Sequence, residues 1–173
     1  GFGQIGRKVA ERAKGFDMKV YVYDPYVSAE NIKNLGGQPV EFEELLRSSD
    51  FITIHARLTT ETKHLIGEKE FKQMKATAYL INTARGPIVD EKALYEALRE
   101  RRIAGAALDV YEKEPLDSDN PLLTLENITL TPHIGGATKE AFYLNAPRMM
   151  AAEVERFLKK EKLQFIVNPE VLK

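Results

Sequence analysis

From Gln4 to Lys14 the apolar residues Ile5, Val9 and Ala13 recur at helical spacing, and Gly15 follows where a helix often closes on a left-handed residue. Lys19–Tyr23 is a short β-branched and aromatic run stopped by Asp24-Pro25, which reads as a strand ending in a turn. The same alternation then repeats. Helices are predicted over Ala29–Leu35, ended by Gly36-Gly37, and over Glu41–Arg47, and Phe51–Ile54 reads as a buried strand. Ala78–Ile81 is the next strand, and a helix from Asp90 to Glu100 sets Ala93, Leu94, Ala97 and Leu98 on one face. Ile103–Leu108 and Ile128–Leu130 complete the strand set. Most of these strands are apolar throughout, so a parallel sheet covered by helices on both faces is expected, a doubly wound α/β architecture.

After Gly135-Gly136 the pattern becomes one long helical stretch from Thr138 to about Lys160, with Ala141, Leu144, Met149, Ala152, Phe157 and Leu158 as its apolar positions. Pro147 is expected to kink or interrupt it near Ala146. The tail from Leu163 to Lys173 reads as a return segment, which gives two parts, residues 1–136 and 137–173.

Composition narrows the functions. The 173 residues are 43% hydrophobic and 29% charged, enough for a packed core, and 25 Lys and Arg against 26 Asp and Glu leave no basic surplus for nucleic acid. No apolar run has the ~20 residues that span a bilayer, and no signal peptide is legible, so neither a membrane nor a nucleic acid is an expected partner. The absence of cysteine removes thiolate nucleophiles, disulfides and thiolate zinc sites, and three scattered histidines make no metal cluster. A cysteine-free chain suits the cytoplasm, the expected location.

Gly1, Gly3 and Gly6 have the spacing in which one glycine makes a tight turn, the next lets backbone approach a pyrophosphate, and the third packs helix on strand. Gln4 and Ile5, opening the following helix, would meet the phosphates through their amides. Three glycines in six residues also occur in ordinary turns, and Asp24 alone reads as a turn residue before Pro25. With a helix and a strand between loop and acid, the pair reads as a Rossmann-type dinucleotide site in which Asp24 accepts both ribose hydroxyls and repels a 2′-phosphate, favouring NAD over NADP. The strand that should enter Gly1 is not in the sequence. Without that central strand, exposed sheet edges, aggregation and weak activity are expected. Asp24, His55, Arg85, Asp109 and His133 each follow a predicted strand, and ligands of open α/β sheets bind at that edge.

The residues at this edge resemble the D-isomer-specific 2-hydroxyacid dehydrogenases, the family that includes D-3-phosphoglycerate dehydrogenase and glyoxylate reductase. Four segments carry the resemblance in order along the chain: Gly1-Phe2-Gly3-Gln4-Ile5-Gly6, Asn82-Thr83-Ala84-Arg85-Gly86, Asp109-Val110-Tyr111-Glu112-Lys113-Glu114-Pro115 and Thr131-Pro132-His133-Ile134-Gly135-Gly136. Ala137–Ala141 and Val167-Asn168-Pro169 are similar to phosphoglycerate dehydrogenases in particular. The resemblance implies NAD as cofactor and a small 2-hydroxy or 2-keto acid as substrate. It implies Arg85 on the substrate carboxylate, His133 as acid/base and Glu114 as its orienting partner, with Ala56, Thr83, Ala84, Asp109, Gly135 and Gly136 around the cofactor. It also implies a homodimer or homotetramer, and a substrate domain formed chiefly by residues before the glycine loop.

The resemblance leaves one rival on the same fold, an NAD(H)-sensing interaction module, although a pure sensor has no need of Arg85, Glu114 and His133 together. A methyltransferase has no role for that trio. Arg57 stands where the family usually has proline, which is expected to loosen the loop or to set a cation beside the ribose or phosphates; a solvated side chain is the other reading. His55 reads as loop-shaping and His64 as a surface residue.

Overall fold

The computed structural model describes residues 1–166 and 168–172; Val167, part of the Val167-Asn168-Pro169 resemblance, and Lys173 lie outside the described residues. The chain divides into two compact units, residues 1–133 and 134–173.

In the first unit the elements run α1 (Gln4–Lys14), β1 (Tyr21–Val22), α2 (Ala29–Asn34), β2 (Gln38–Pro39), α3 (Phe42–Ser48), β3 (Phe51–Ile54), α4 (Glu68–Phe71), β4 (Tyr79–Asn82), α5 (Glu91–Arg99), β5 (Gly105–Leu108) and β6 (Ile128–Leu130), with single 3₁₀ turns at Gly86–Ile88 and Pro121–Thr124. The strands form two sheets, β1-β2 and β3-β4-β5-β6, and every pairing is parallel. That is the consequence of strands joined by helical crossovers. Register pairs Phe51 with Tyr79, Tyr79 with Gly105, and Ala106 with Ile128. Most strand runs and helices fall where the apolar spacing put them. The strand β2 was not anticipated, because two residues, one of them Pro39, give no pattern to read.

The core gathers on one side of the larger sheet, where Leu80, Leu94, Leu98, Ile103 and Leu122 are fully buried. Each such side chain contributes about 2 kcal/mol by leaving water. The α5 face is as expected, with Asp90 capping the helix by accepting the Ala93 amide at 2.9 Å. At β3 and β4, Phe51 and Tyr79 are 54% and 45% exposed, and their rings stack on each other at 5.6 Å.

Two local expectations are also corrected. The stripe Ile5, Val9, Ala13 does not form the buried face of α1, which is Gly6 and Ala10; Ile5 is 65% exposed. Gly15 keeps right-handed backbone, and the left-handed residue after α1 is Asp17, at φ 54°. Val9 and Ala13 instead line an apolar trough of about 960 Å³, with Tyr21 and Val22 of β1 on one lip and Phe51 and Ile52 of β3 on the other. In the doubly wound order the position between these two strands belongs to the strand that enters the glycine loop.

In the second unit, a π-helical turn at Glu140–Asn145 hands over to α6 (Ala146–Leu158) with Pro147 in its first turn, and a 3₁₀ turn spans Pro169–Leu172. The expected interruption near Ala146 takes this form because the Pro147 nitrogen has no proton to donate to the preceding turn. Among the described residues no helix is long and apolar enough to cross a membrane, and no group of three His, Cys, Asp or Glu could hold a metal.

Candidate active site

The first cluster forms around the glycine loop. A Cβ on Gly6 would stand 2.4 Å from the Gly1 carbonyl oxygen, and one on Gly1 would stand 2.7 Å from the His55 carbonyl and 2.8 Å from the Ala56 nitrogen. These two positions tolerate only glycine. A Cβ on Gly3 would meet nothing within 4 Å, so the loop is open on that side. The helix α1 begins there with no side-chain cap and no acidic residue in its first turn, leaving the amides of Gln4 and Ile5 for an anion. Asp24, just beyond β1, holds the loop from the other side, its Oδ2 accepting the Phe2 amide at 2.6 Å and its Oδ1 the Tyr26 amide at 2.8 Å. Burial pushes the Asp24 carboxyl up, but the Phe2 and Tyr26 amides outweigh it and hold it below the usual carboxylate range.

His55 is half-buried, with Nε2 3.1 Å from the Thr53 hydroxyl. Burial pushes its pKa below the ordinary histidine value. Arg57 is exposed; the Thr62 hydroxyl donates to the Arg57 carbonyl at 2.6 Å and accepts the Thr59 amide at 2.8 Å.

The second cluster forms beyond β4, β5 and β6. Asn82, 0% exposed at the end of β4, donates Nδ2 to the Arg85 carbonyl at 2.9 Å and accepts the Ala84 amide at 3.0 Å. This side chain shapes the turn that carries Thr83, which is exposed, Ala84, which packs on the core, and Arg85. Arg85 is exposed and donates Nη1 to the Ala84 carbonyl at 2.6 Å, leaving its other guanidinium protons outward. Gly86 follows because a Cβ there would stand 1.9 Å from the Tyr111 carbonyl: the two loops cross in backbone contact.

Beyond β5, Asp109 is buried and accepts the Thr131 hydroxyl, while the Tyr111 hydroxyl donates to the Thr131 carbonyl at 2.8 Å. Burial, then the charge of Asp109, push the Tyr111 hydroxyl pKa up. Glu114 accepts the Tyr111 amide on Oε1 at 3.0 Å and meets His133 Nδ1 with Oε2 at 2.7 Å. The hydrogen bond from His133, then the Tyr111 amide, lower the Glu114 carboxyl; burial opposes them, and the charges of His133 and Arg85 add to the lowering. His133 sits at φ 53°, a left-handed conformation that is uncommon outside glycine. Arg85, Glu114 and His133, scattered over 49 positions, therefore share one patch, with Nε2 of His133 left for other chemistry. Gly135 and Gly136 belong to the second unit; Gly136 has open space where a Cβ would be.

Two contributors were not singled out by sequence, Asn82 and Tyr111. A polar residue closing the apolar run Ala78–Ile81 just before a turn was the available signal for Asn82.

A depressed carboxyl adds stability at pH above its unfolded value and loses it as pH falls through the folded one. The Glu114–His133 contact therefore supports the fold above about pH 4.5 and fades below it. The melting-temperature difference between the native chain and Glu114→Gln is expected to shrink as pH falls below about 4.5. A difference unchanged across that range would contradict the assignment.

Comparison with known proteins agrees with this geometry. The family model described as "D-isomer specific 2-hydroxyacid dehydrogenase, NAD binding domain" matches residues 1–135. A glyoxylate reductase from Korarchaeum cryptofilum is 48% identical over 173 residues, all of this chain and 52% of that protein. A D-3-phosphoglycerate dehydrogenase from Archaeoglobus fulgidus is 47% identical over 168 residues, 97% of this chain and 32% of that protein. The chain thus spans from about a third to about half the length of such relatives. The solved structure of a D-isomer specific 2-hydroxyacid dehydrogenase from Lactobacillus delbrueckii ssp. bulgaricus, in its NAD complexed form, superposes with a TM-score of 0.87 at 31% identity, covering 97% of this chain and 54% of that one. The chain belongs to the D-isomer specific 2-hydroxyacid dehydrogenase family, and residues 1–135 are its NAD-binding domain.

Proposed function

We propose that this chain is the cofactor half of an enzyme that interconverts a D-2-hydroxy acid and its 2-keto acid with NAD(H). The observation that carries the reading is the His133–Glu114 contact at 2.7 Å, beside the Arg85 loop that Gly86 brings into backbone contact with Tyr111. An acid/base, its orienting partner and an anion holder are what this interconversion requires of a protein. The names of the glyoxylate reductase and phosphoglycerate dehydrogenase relatives support it.

The residues fit NAD. The open side of Gly3 and the uncapped start of α1 accept a pyrophosphate through the Gln4 and Ile5 amides, and Asp24 retains lone pairs for the ribose hydroxyls. His55, Ala56, Thr83, Ala84 and Asp109 lie at the same strand ends. Bound NADH supplies the hydride that goes to the keto carbon. Arg85 holds the substrate carboxylate and the neighbouring oxygen with its planar fork of donors. His133, held by Glu114, gives its proton to the keto oxygen as the hydroxyl forms, and takes it back in the reverse direction. A homodimer or homotetramer is the assembly we expect, as is common for such enzymes.

Asp24 sets the cofactor preference. Calorimetric titration of Asp24→Asn, which keeps the side-chain shape and removes the charge, is expected to lower the NAD-to-NADP affinity ratio about tenfold. An unchanged ratio would reject that role.

A further inference from the structure

We propose that Glu112, with His64, is a positioning residue that sets the Arg85 loop against the Glu114 loop, an inference that rests on the dehydrogenase reading of the site. Three segments meet beside that site. Residues 64–66 run along 87–90, with the His64 amide donating to the Pro87 carbonyl at 2.8 Å, the Ile66 amide to Ile88 at 3.1 Å and the Asp90 amide to Ile66 at 3.0 Å. Gly86 crosses the Tyr111–Glu112 backbone in direct contact. Glu112 touches both of the other segments. Its Oε1 accepts the Glu91 amide at 3.2 Å and lies 3.0 Å from His64 Nε2, and its own amide donates to Glu91 Oε1.

Two carboxylates thus face each other at the start of α5, and what compensates them is a pair of exchanged backbone amides, the helix end and the His64 ring. His64 is held at φ 52°, a conformation that costs a non-glycine residue energy and persists only where the surroundings impose it. The clamp sits between the two reactive groups in sequence as well: Arg85 is six residues before Glu91, and Glu114 is two after Glu112.

Energetics separates positioning from scaffolding. The His64 and Glu112 side chains are 41% and 37% exposed, and ion pairs open to solvent add little to stability. Yet a shift of about 1 Å between a carboxylate-holding arginine and its acid/base partner is enough to cost about 10²-fold in rate. Loss of Glu112 should therefore disturb substrate handling more than folding.

The test compares Glu112→Ala, Glu112→Gln and His64→Gln in the intact enzyme by steady-state kinetics with NADH and a 2-keto acid, calorimetric NADH titration, melting, and hydrogen exchange of residues 85–91. Glu112→Ala is expected to lower kcat/KM for the keto acid about tenfold, chiefly by raising KM, and to speed exchange in that segment about tenfold, with NADH affinity within about twofold and little change in melting temperature. Glu112→Gln, which keeps the acceptor oxygen for the Glu91 amide, is expected to recover most of the KM, and His64→Gln to fall between. An unchanged KM and exchange rate, or a KM rise matched by equal losses of NADH affinity and stability, would overturn the proposal. Absence of turnover in the native enzyme would overturn the dehydrogenase reading instead, and exchange in residues 85–91 would still decide the clamp.

Discussion

Replacing His133 by alanine is expected to lower kcat for reduction of a 2-keto acid by about 10³-fold, roughly 4 kcal/mol of transition-state stabilisation. The imidazole has its Nδ1 committed to Glu114 at 2.7 Å, so it can deliver a proton from Nε2 only. Water cannot replace a donor held in that orientation. NADH affinity should be unaffected, because His133 lies three residues beyond β6 and the loop that would hold the pyrophosphate starts at Gly1. Glu114→Gln should give a milder loss, since glutamine still accepts a hydrogen bond on Oε1 but gives no negative charge to steady the imidazolium. Stopped-flow and steady-state kinetics on the three proteins check this, and a His133→Ala enzyme that keeps a tenth or more of native kcat would contradict the assigned role.

Arg85→Ala is expected to reduce kcat/KM by about 10³-fold, mainly through KM, and Arg85→Lys to restore only a small part. The guanidinium is exposed, and among the described residues its one side-chain hydrogen bond goes to the adjacent Ala84 carbonyl, so its removal leaves no buried partner unsatisfied there and should barely move the melting temperature. What is lost is the two-pronged grip on a carboxylate and its neighbouring oxygen, which a point charge on a flexible stem does not reproduce. Kinetics across substrate concentration, with melting as the control, decides it; an Arg85→Lys enzyme with native KM would show that charge alone suffices.

How much of this was legible beforehand depended on whether the determining force was local. Phe51–Ile54 and Ile128–Leu130 could be read to the residue because an apolar run bounded by turn signals is all a short parallel strand needs. Gly1, Gly3 and Gly6 were legible because glycine at those spacings answers a backbone requirement, and Gly1 and Gly6 indeed leave no room for a Cβ. The meeting of His133 with Glu114 was not derivable from spacing: 19 residues, a 3₁₀ turn and a strand separate them, and resemblance supplied the pairing. The closing residue of α1 was misread at Gly15 because right- and left-handed endings differ by tertiary packing that no window of sequence contains. Asn82 stands in one of the segments that carry the resemblance, but its own role rests on burial, which appears only when β4 lies between β3 and β5. Phe51 and Tyr79 look like core residues in sequence, yet they are 54% and 45% exposed and stack on each other.

The central claim is that Arg85, Glu114 and His133 serve hydride exchange between NAD(H) and a 2-hydroxy acid. The most direct measurement is NADH oxidation by the intact protein against a panel of 2-keto acids including glyoxylate and 3-phosphohydroxypyruvate, run beside His133→Ala. Turnover with at least one of these acids, lost in the variant while NADH still binds, is the expected result. Absence of turnover across the panel, together with a protein partner retained in stoichiometric amount only when NADH is present, would contradict the claim and identify a nucleotide sensor.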